Sequence, residues 1–206
     1  MNSKIFYTRG VPPFPSLRRA VFFLLALGLL PALPAHAASY SYNEEGSEVR
    51  FTTRHLGITT ASGEFRRFSG TFQFDPERVG DTAVTIDIKT VSVDAKNALE
   101  EKLLRSRKFF WSEKHPAILF KSVSIENIRG FTFDIRGELT IRGITRPAVF
   151  RTVFYPSAPD AARHPFFRAD TLIRRKDYGL GAGNLFDPLI RLTNEELRIS
   201  LDVTGL

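Results

Sequence analysis

The 206-residue chain contains no cysteine, and this absence removes several kinds of chemistry. Without cysteine there is no disulfide, no thiol nucleophile, no cysteine-ligated zinc and no lipidated cysteine. Beyond residue 37 the only histidines, His55, His115 and His164, form neither H-x-x-x-H nor H-E-x-x-H, which are common zinc-site spacings. A G-x-S-x-G nucleophile motif is also absent. The sequence therefore predicts no catalytic residues, no metal and no cofactor.

The N-terminal stretch lacks acidic residues, and the first acidic residue in the chain is Glu44. Four basic residues, Lys4, Arg9, Arg18 and Arg19, lie in its first 19 positions; the apolar run 20–30 follows, and the stretch ends at Ala35-His36-Ala37. The order is typical of a secretory signal peptide and its cleavage site. A membrane anchor needs about 20 apolar residues, so this run is too short. We predict a signal peptide over 1–37, one domain over 38–206, and a periplasmic or secreted protein.

A strong net charge is missing from the predicted mature chain. Four of the 29 basic residues and none of the 22 acidic residues precede position 38, so the net charge falls from +7 to +3. Nucleic-acid-binding domains carry a concentrated basic footprint, and a charge of +3 on this length provides none. We expect no nucleic-acid partner and no integral membrane segment in the mature chain. The sequence leaves open whether the chain forms a homodimer.

Alternation of apolar and polar residues dominates the mature chain. Between Phe131 and Arg142, the odd-numbered positions are apolar or glycine and the even-numbered positions are polar. A strand with one buried and one solvated face is typical of antiparallel sheets. The same pattern, with turn signals between the segments, predicts eight strands at about 48–55, 63–74, 84–89, 116–126, 131–142, 146–155, 166–176 and 195–204.

One segment, 95–105, follows a helical period instead. Ala95, Leu99 and Leu103 recur at every fourth residue, which predicts one apolar stripe, and Asp94 is placed to cap the N-terminus. Eight antiparallel strands can close into a barrel, and closure removes the edges of the sheet. We therefore predict an all-β fold, an eight-stranded antiparallel barrel whose single inserted helix serves as a lid or plug.

Phenylalanine is the abundant residue type, with 19 in the chain and 15 of them beyond residue 37. Many occupy the inward face of the predicted strands. An eight-stranded barrel is either filled by side chains or holds one small ligand. Residue type alone favours a packed core, because aromatic side chains are commonly buried. The period of the pattern does not distinguish a filled core from an apolar tunnel.

Four stretches, taken in order, resemble one known family. They are His55 with GEFRRFSG (63–70), SVDAKNALEEKLLRSRKFFWSEKHPAILFKS (92–122), GELTIRGITRPAVF (137–150) and RRKDYG (174–179). In order and spacing they are similar to the YceI-like family of lipocalin-like, polyisoprenoid-binding periplasmic proteins, over nearly all of 39–206. The chain departs from the family pattern within the helix, at Trp111, where an aspartate is usual, and at Tyr178, where phenylalanine is commoner.

The resemblance implies a lipocalin-like barrel whose apolar tunnel binds a long-chain isoprenoid, quinone-like or fatty acyl lipid without catalysis. It also implies that Arg175, in R-x-D-[FY]-G, contacts the ligand head group, because a guanidinium donates paired hydrogen bonds to phosphate. A salt bridge with Asp177 or another rim acid is the alternative role. The candidate tunnel-lining residues are Phe51, His55, Phe72, Phe74, Ile86, Ile88, Phe109, Phe110, Phe120, Phe131, Phe133 and Ile135.

Two other functions remain open at the level of sequence. One is an enzyme that acts on a lipid-like substrate in the barrel pocket. The other is a structural or interaction module whose barrel is filled. His55 shares the face of Phe51, but an inward histidine is more often a satisfied core residue than a ligand contact.

Overall fold

The structure, a computed structural model, describes residues 38–55, 58–156, 164–181 and 196–206. The predicted signal peptide lies outside these ranges. The described chain forms one α-helix, α1 (Ala98–Arg105), and no helix in it has the length and hydropathy of a membrane span. Its strands are β1 (Ala38–Asn43), β2 (Glu48–His55), β3 (Ile58–Phe65), β4 (Phe68–Phe74), β5 (Ala83–Lys89), β6 (Val93–Ala95), β7 (Ala117–Arg129), β8 (Thr132–Ile141), β9 (Ile144–Phe154), β10 (Phe166–Arg174) and β11 (Glu196–Thr204).

All these strands belong to one antiparallel sheet with the order β1-β4-β5-β7-β8-β9-β10-β11-β2-β3-β6. The chain itself links the two ends of this order. β1 leads into β2, β3 into β4 and β5 into β6, and the two members of each pair lie toward opposite ends of the sheet. The sheet therefore curls into a barrel-like shape of eight long strands, three of which are bent. This confirms the predicted all-β antiparallel fold.

The bends explain why the structure has more strands than the sequence predicts. The segment 63–74, predicted as one strand, changes direction at Arg66 and Arg67. Phe65 and Phe68 are both buried although they are three residues apart, so the inward face changes parity between them. At the bend, the Arg66 N–H donates to Ser92 O (3.0 Å) and the Lys89 N–H donates to Arg67 O (2.9 Å). β1 and β6 are the remaining additions, and both belong to bent strands.

The interior of the barrel is apolar, and its predicted inward faces are confirmed on several strands. On β8 the buried positions are 133, 135, 137, 139 and 141. On β11 the apolar residues Leu197, Ile199, Leu201 and Val203 are buried. Rings from different strands touch one another throughout the interior: Phe120 meets Phe150 edge to face, with centroids 4.8 Å apart. The alternation in the sequence therefore encodes a single core.

Phe131 is the exception, and its predicted inward position is wrong. β8 begins at Thr132, so Phe131 lies in the turn before the strand, where the pleat no longer fixes its direction. Gly130 precedes it with φ +57°, a left-handed conformation that suits glycine in a tight turn. The Phe131 side chain is 58% exposed. Its ring touches only the outer part of the core, edge-on to Phe154 at 6.2 Å.

The helix also differs from the prediction in its start and its apolar face. Asn97, not Asp94, is the N-cap: its Oδ1 accepts a hydrogen bond from the Glu100 N–H at 3.0 Å. Asp94 lies in β6 and pairs with Arg66 at 2.8 Å. Leu99 is 77% exposed, while Leu104 packs against the core. The first residues of the predicted helix are extended because β6 pairs with β3, and this pairing delays the start of the helix.

Candidate binding cavity

Two adjoining cavities lie inside the barrel. The first, lined by Phe51 and Phe110 and termed the cap-side cavity, has a volume of about 20 Å³. The second, lined by Phe72 and Phe133 and termed the distal cavity, has a volume of about 50 Å³. They share four lining residues, Ile86, Phe120, Phe150 and Leu201. Drug-sized ligands occupy sites of roughly 300–1,000 Å³. In this conformation the interior therefore holds only a few methyl-sized groups.

Most of the predicted lining residues surround these cavities. The cap-side cavity is lined by Phe51, Ile86, Ile88, Phe110 and Phe120 from the predicted set. The distal cavity is lined by Phe72, Ile86, Phe120, Phe133 and Ile135 from that set. The structure thus brings eight of the twelve candidates together around one apolar interior. That any of them contacts a ligand stays a prediction.

The other four of the twelve candidates lie elsewhere or have side chains outside the described part of the structure. Phe74 is buried deeper in the distal core, stacked on Phe133 with centroids 6.4 Å apart. Phe131 is exposed, as described above. The side chain of His55 lies outside the described part of the structure. The remaining candidate, Phe109, is half-buried and its ring lies beside Gly181, at the rim of the barrel.

Inward-facing glycines determine where the largest rings lie. A Cβ atom built on Gly137 would lie 2.5 Å from Phe120 Cζ, and one on Gly63 would lie 2.6 Å from Phe51 Cζ. At Gly70 the hydroxyphenyl group of Tyr42 takes the corresponding place, and its hydroxyl donates to Thr85 O at 2.6 Å. Each ring therefore lies flat against the wall of the barrel over a residue without a side chain, which leaves room along the axis.

A cap closes one end of this interior. We define the cap as residues 96–116, which comprise α1 and the turns that follow it. Phe110 is 3% exposed and inserts between Phe51 and Phe65, with centroid distances of 6.0 and 5.4 Å. The Phe110 N–H donates to Leu104 O at 2.9 Å, so the end of the helix fixes the inserted ring. Movement of the cap would therefore open the cap-side cavity.

Arg175 lies beside the cap in a short 3₁₀ helix, Arg175–Tyr178, and is 7% exposed. Its guanidinium and the Phe109 ring both face Gly181. The Gly181 N–H donates to Lys108 O at 2.7 Å, and this bond ties the segment to the cap. Asp177, the salt-bridge partner considered from sequence, is exposed. A buried guanidinium thus lies at the capped end of the barrel.

Electrostatics at this end of the barrel are governed by burial. Burial, supported by the charge of Asp177, raises the pKa of Tyr178 to about 12, against a smaller opposite effect of Arg146. Burial also lowers the pKa of Arg142, whose guanidinium donates to Gly179 O. Tyr178 therefore stays a neutral phenol at physiological pH. Arg142 ties the β8–β9 turn to the segment that carries Arg175.

Several cavity-lining residues were not among the candidates. Tyr42, Phe65 and Phe150 line the cavities and are buried. Tyr42 precedes the first predicted strand, and its position depends on the pairing of β1 with β4, which the sequence pattern does not reveal. Phe150 lies on β9, a strand that the sequence predicts with less regular alternation. The structure buries positions 148, 150, 152 and 154 of this strand. Their spacing of two residues is the signal that could have placed Phe150 inward.

Within the described ranges, no group of three or more histidine, aspartate or glutamate side chains is arranged to hold a metal ion. The chemistry that the arrangement offers is burial of apolar surface, with one guanidinium at the capped end. Fold and interior together define a curled antiparallel barrel with a helical cap over an apolar core.

A model of the YceI-like domain matches residues 40–205. The chain belongs to the YceI-like family. A UPF0312 protein of Azotobacter vinelandii is 36% identical over 162 residues, which cover 76% of this chain and 84% of that protein. A UPF0312 protein of Pseudomonas putida strain F1 is 30% identical over 195 residues, which cover 91% of this chain and 97% of that protein.

Solved structures share the fold. BcnA of Burkholderia cenocepacia superposes with a TM-score of 0.72 at 20% identity, over 80% of this chain and 99% of its own. A polyisoprenoid binding domain from Saccharophagus degradans, implicated in plant cell wall breakdown, superposes with a TM-score of 0.63 at 14% identity, over 82% and 98%. These similarities confirm the predicted barrel.

Proposed function

We propose that the protein binds a long-chain amphiphile in its apolar interior and acts as a carrier without catalysis. The ligand class is an isoprenoid, quinone-like or fatty acyl lipid. The observation that carries this proposal is the pair of adjoining apolar cavities beneath an inserted cap residue, Phe110. The Saccharophagus degradans domain, described as polyisoprenoid binding, supports the choice of ligand class.

Burial alone provides enough affinity for such a ligand. Each CH₂ group removed from water contributes about 0.8 kcal/mol, so a long acyl or prenyl chain needs few polar contacts. An interior of this kind carries no catalytic motif in its sequence.

Binding requires the interior to widen. The two cavities meet at Phe120 and Phe150, and their rings separate the spaces that a continuous chain would occupy. Phe110 closes the capped end. We propose that the ligand enters as the cap moves Phe110 outward and as the Phe120 ring rotates, which joins the cavities along the barrel axis.

Arg175 serves as the head-group contact in this proposal. Its buried position beside Phe109 and Gly181, at the capped end of the barrel, supports this role. In Arg175→Gln, affinity for a polyprenyl phosphate should fall about tenfold, consistent with loss of a charge-assisted hydrogen bond, while affinity for the neutral prenol should not change. The matched control is Arg174→Gln, at the exposed neighbouring position. Equal losses for both ligands would contradict the role.

Native mass spectrometry of the purified protein is the main test of binding. The protein should retain a co-purifying lipid, and delipidated protein should rebind a fluorescent polyprenyl or fatty acyl probe. Lipid extraction identifies the ligand class. Absence of both a retained lipid and probe binding would refute the carrier function.

The location is part of the same proposal, because residues 1–37 have the pattern of a cleaved signal peptide. We propose that the protein acts in the periplasm or outside the cell. N-terminal sequencing of exported protein should begin at Ala38. Exported protein that still begins at Met1 would contradict this.

One observation favours a second candidate, an interaction module with a filled barrel. The cavities of about 20 and 50 Å³ are far smaller than a typical ligand site. In that case the barrel presents its outer surface to partners and binds no lipid. The probe-binding measurement described above separates the two functions.

A further inference from the structure

The outer surface of the cap (residues 96–116) differs from its inner surface in composition. Inside, Leu104 and Phe110 pack against the core. Outside, Leu99 has the largest exposed fraction, 77%, of the large apolar side chains in the described ranges. The capped end of the barrel therefore carries an exposed apolar side chain, Leu99, that does not pack in the interior.

Positive charge predominates on the same segment. The exposed charged residues of the cap are five basic residues and one acidic residue, namely Lys96, Lys102, Arg107, Lys108, Lys114 and Glu113. The two other glutamates of the cap, Glu100 and Glu101, are partly buried, and Glu101 pairs with Arg105 at 2.8 Å. The outer surface of the cap thus has a clear excess of positive charge.

Trp111 lies among these bases. Arg107 and Lys114 both lie over its ring, at 4.6 and 4.5 Å from the centroid. Its backbone has φ +49°, a conformation that is sterically disfavoured for a bulky side chain. Hydrogen bonds from the Trp111 N–H to Ser106 O (2.9 Å) and from the His115 N–H to Trp111 O (2.9 Å) hold it there. The fold thus keeps a large amphipathic ring half-buried at the surface of the cap, between two basic side chains.

We propose that the outer surface of the cap docks on an anionic lipid bilayer. Tryptophan favours the membrane–water interface, where its ring meets the acyl boundary and its N–H stays hydrated. Lysine and arginine bind anionic head groups, each base near the surface adding affinity. Leu99, exposed on α1 of the same cap, adds an apolar side chain. This inference goes beyond lipid binding in the interior, because it concerns a different face of the molecule.

Charge complementarity selects the bilayer as the occupant. An anionic membrane presents a continuous negative surface, which suits flexible bases around one aromatic ring without requiring a shaped partner. The docked face is also the face whose inner side closes the cavity. Docking would therefore bring the cap, with Phe110 beneath it, to the membrane.

The single tryptophan of the chain makes the test direct. The mature protein is mixed with vesicles of phosphatidylcholine alone or with phosphatidylglycerol added. Co-sedimentation should occur with the anionic vesicles and weaken at high salt. Tryptophan emission should shift to shorter wavelength on binding, and lipids labelled with a quencher near the head group should quench it. All of this signal reports Trp111.

Two cap variants, each with a matched control, locate the surface. Lys102→Glu with Lys114→Glu should weaken vesicle partitioning by roughly tenfold or more, as expected for two reversed charges near the membrane. Its matched control reverses two exposed bases of β7, Lys121→Glu with Arg129→Glu, and should lose much less. Leu99→Ser should weaken partitioning, whereas Val123→Ser, at a 71% exposed position, should not.

Trp111→Gly separates docking from folding. Glycine adopts the left-handed conformation without strain, so thermal stability should be kept while vesicle affinity falls several-fold. If this variant still retains lipid in native mass spectrometry, loss of membrane docking does not remove lipid binding in the interior, and the two proposals can fail separately.

Three results would overturn the proposal. The first is that the wild type does not bind anionic vesicles. The second is binding without any change in tryptophan emission, or with equal losses in the cap and control variants, because the membrane then contacts another surface. The third is concentration-dependent self-association that the cap variants abolish, without vesicle binding, which would assign this surface to a second copy.

Discussion

The glycines of the barrel wall act through the rings that cover them. Gly137 lies on the inward face of β8, and the Phe120 ring lies directly above it. A Cβ at this position would meet both that ring and, at 2.4 Å, the backbone oxygen of Lys121 on β7, so a side chain must displace the ring and shift the neighbouring strand. A residue with no side chain therefore controls the width of the interior as strongly as the large residues do.

Gly137→Ala should destabilise the protein by about 1–3 kcal/mol, the usual range for overpacking, and should weaken binding of a long-chain probe. The new Cβ would lie 2.5 Å from Phe120 Cζ. Chemical unfolding and probe titration measure the two effects. Gly80→Ala is the control, because a Cβ there meets only Ile128 at 3.9 Å. If Gly137→Ala matches the wild type in both unfolding and probe affinity, as Gly80→Ala should, then the Phe120 ring does not lie against the barrel wall at Gly137.

Asp202 connects three strands through its carboxylate. It accepts hydrogen bonds from Arg168 at 2.7 Å and from Arg50 at 2.8 Å, which join β10, β11 and β2. Burial by itself raises the pKa of Asp202, but the hydrogen bonds and charges of Arg168 and Arg50 outweigh it and lower the pKa. A lowered pKa adds stability above the carboxyl's unfolded pKa of about 3.9, and this stability is lost as the pH falls through the folded pKa.

Asp202→Asn should therefore cost about 1 kcal/mol at neutral pH, and this difference from the wild type should shrink below about pH 4. Thermal unfolding at neutral and acidic pH measures it. Asp81→Asn is the comparison, with a side chain that is 63% exposed and lies 3.6 Å from Arg78. A difference between Asp202→Asn and the wild type that does not depend on pH would reject the role of the carboxylate's charge.

At the scale of elements, strand faces could be predicted wherever a strand stays regular. The alternation on β8 and β11 places Phe133 and Leu201 correctly in the core. It fails where register changes. In β7 the pairing shifts between Ser122 and Ser124, and Val123 is 71% exposed. Bulges and bends depend on partner strands, so a pattern read along one segment cannot contain them.

The candidate site shows the same limit. Adjacent residues Phe109 and Phe110 were both predicted to line the tunnel, yet Phe110 inserts into the core while Phe109 is half-buried at the rim. The turns that follow α1 decide this difference. Inward faces are thus encoded locally, whereas the size of the cavity is set by the way rings from several strands pack.

The N-cap of α1 offers a test of the cap as a moving element. Asn97→Ala removes the hydrogen bond that its side chain accepts from Glu100 N–H and should destabilise the helix by about 1 kcal/mol. Because no residue of α1 is buried, global stability should change little, while release of a bound probe should accelerate.

Stopped-flow dissociation of the probe measures this effect. Asn127→Ala is the control, since Asn127 lies outside the cap and donates to Asp134 at 2.8 Å on the outer surface. Unchanged release in Asn97→Ala, with reduced global stability, would mean that the cap does not gate the interior.

At the scale of the whole molecule, the packing of the interior decides between the two proposed functions. A carrier needs free volume along the barrel axis, whereas an interaction module has an interior filled by side chains. Phe133 lines the distal cavity and is 3% exposed. If the cavities join into a tunnel, Phe133→Trp should weaken probe binding with a stability loss below about 1 kcal/mol, because free volume accepts the larger ring. In a filled core the same change would overpack and cost typically 1–3 kcal/mol.

Unfolding of lipid-free protein and probe titration are measured together. Phe131→Trp makes the same substitution at a 58% exposed position and should leave both unchanged. A large stability loss in Phe133→Trp, with no probe binding by the wild type, would favour the filled interaction module.

The pairing of β11 with β2 has a consequence for synthesis. Leu197 lies opposite Thr53, and Leu201 lies opposite Val49, so an early strand obtains its partner from residues made about 150 positions later. Contacts of such sequence separation form slowly. While the nascent polypeptide lacks residues 196–204, β2 and β10 each keep an unpaired edge, and such edges invite association with other chains. These two edges therefore stay open to association with other chains until residues 196–204 can pair with them.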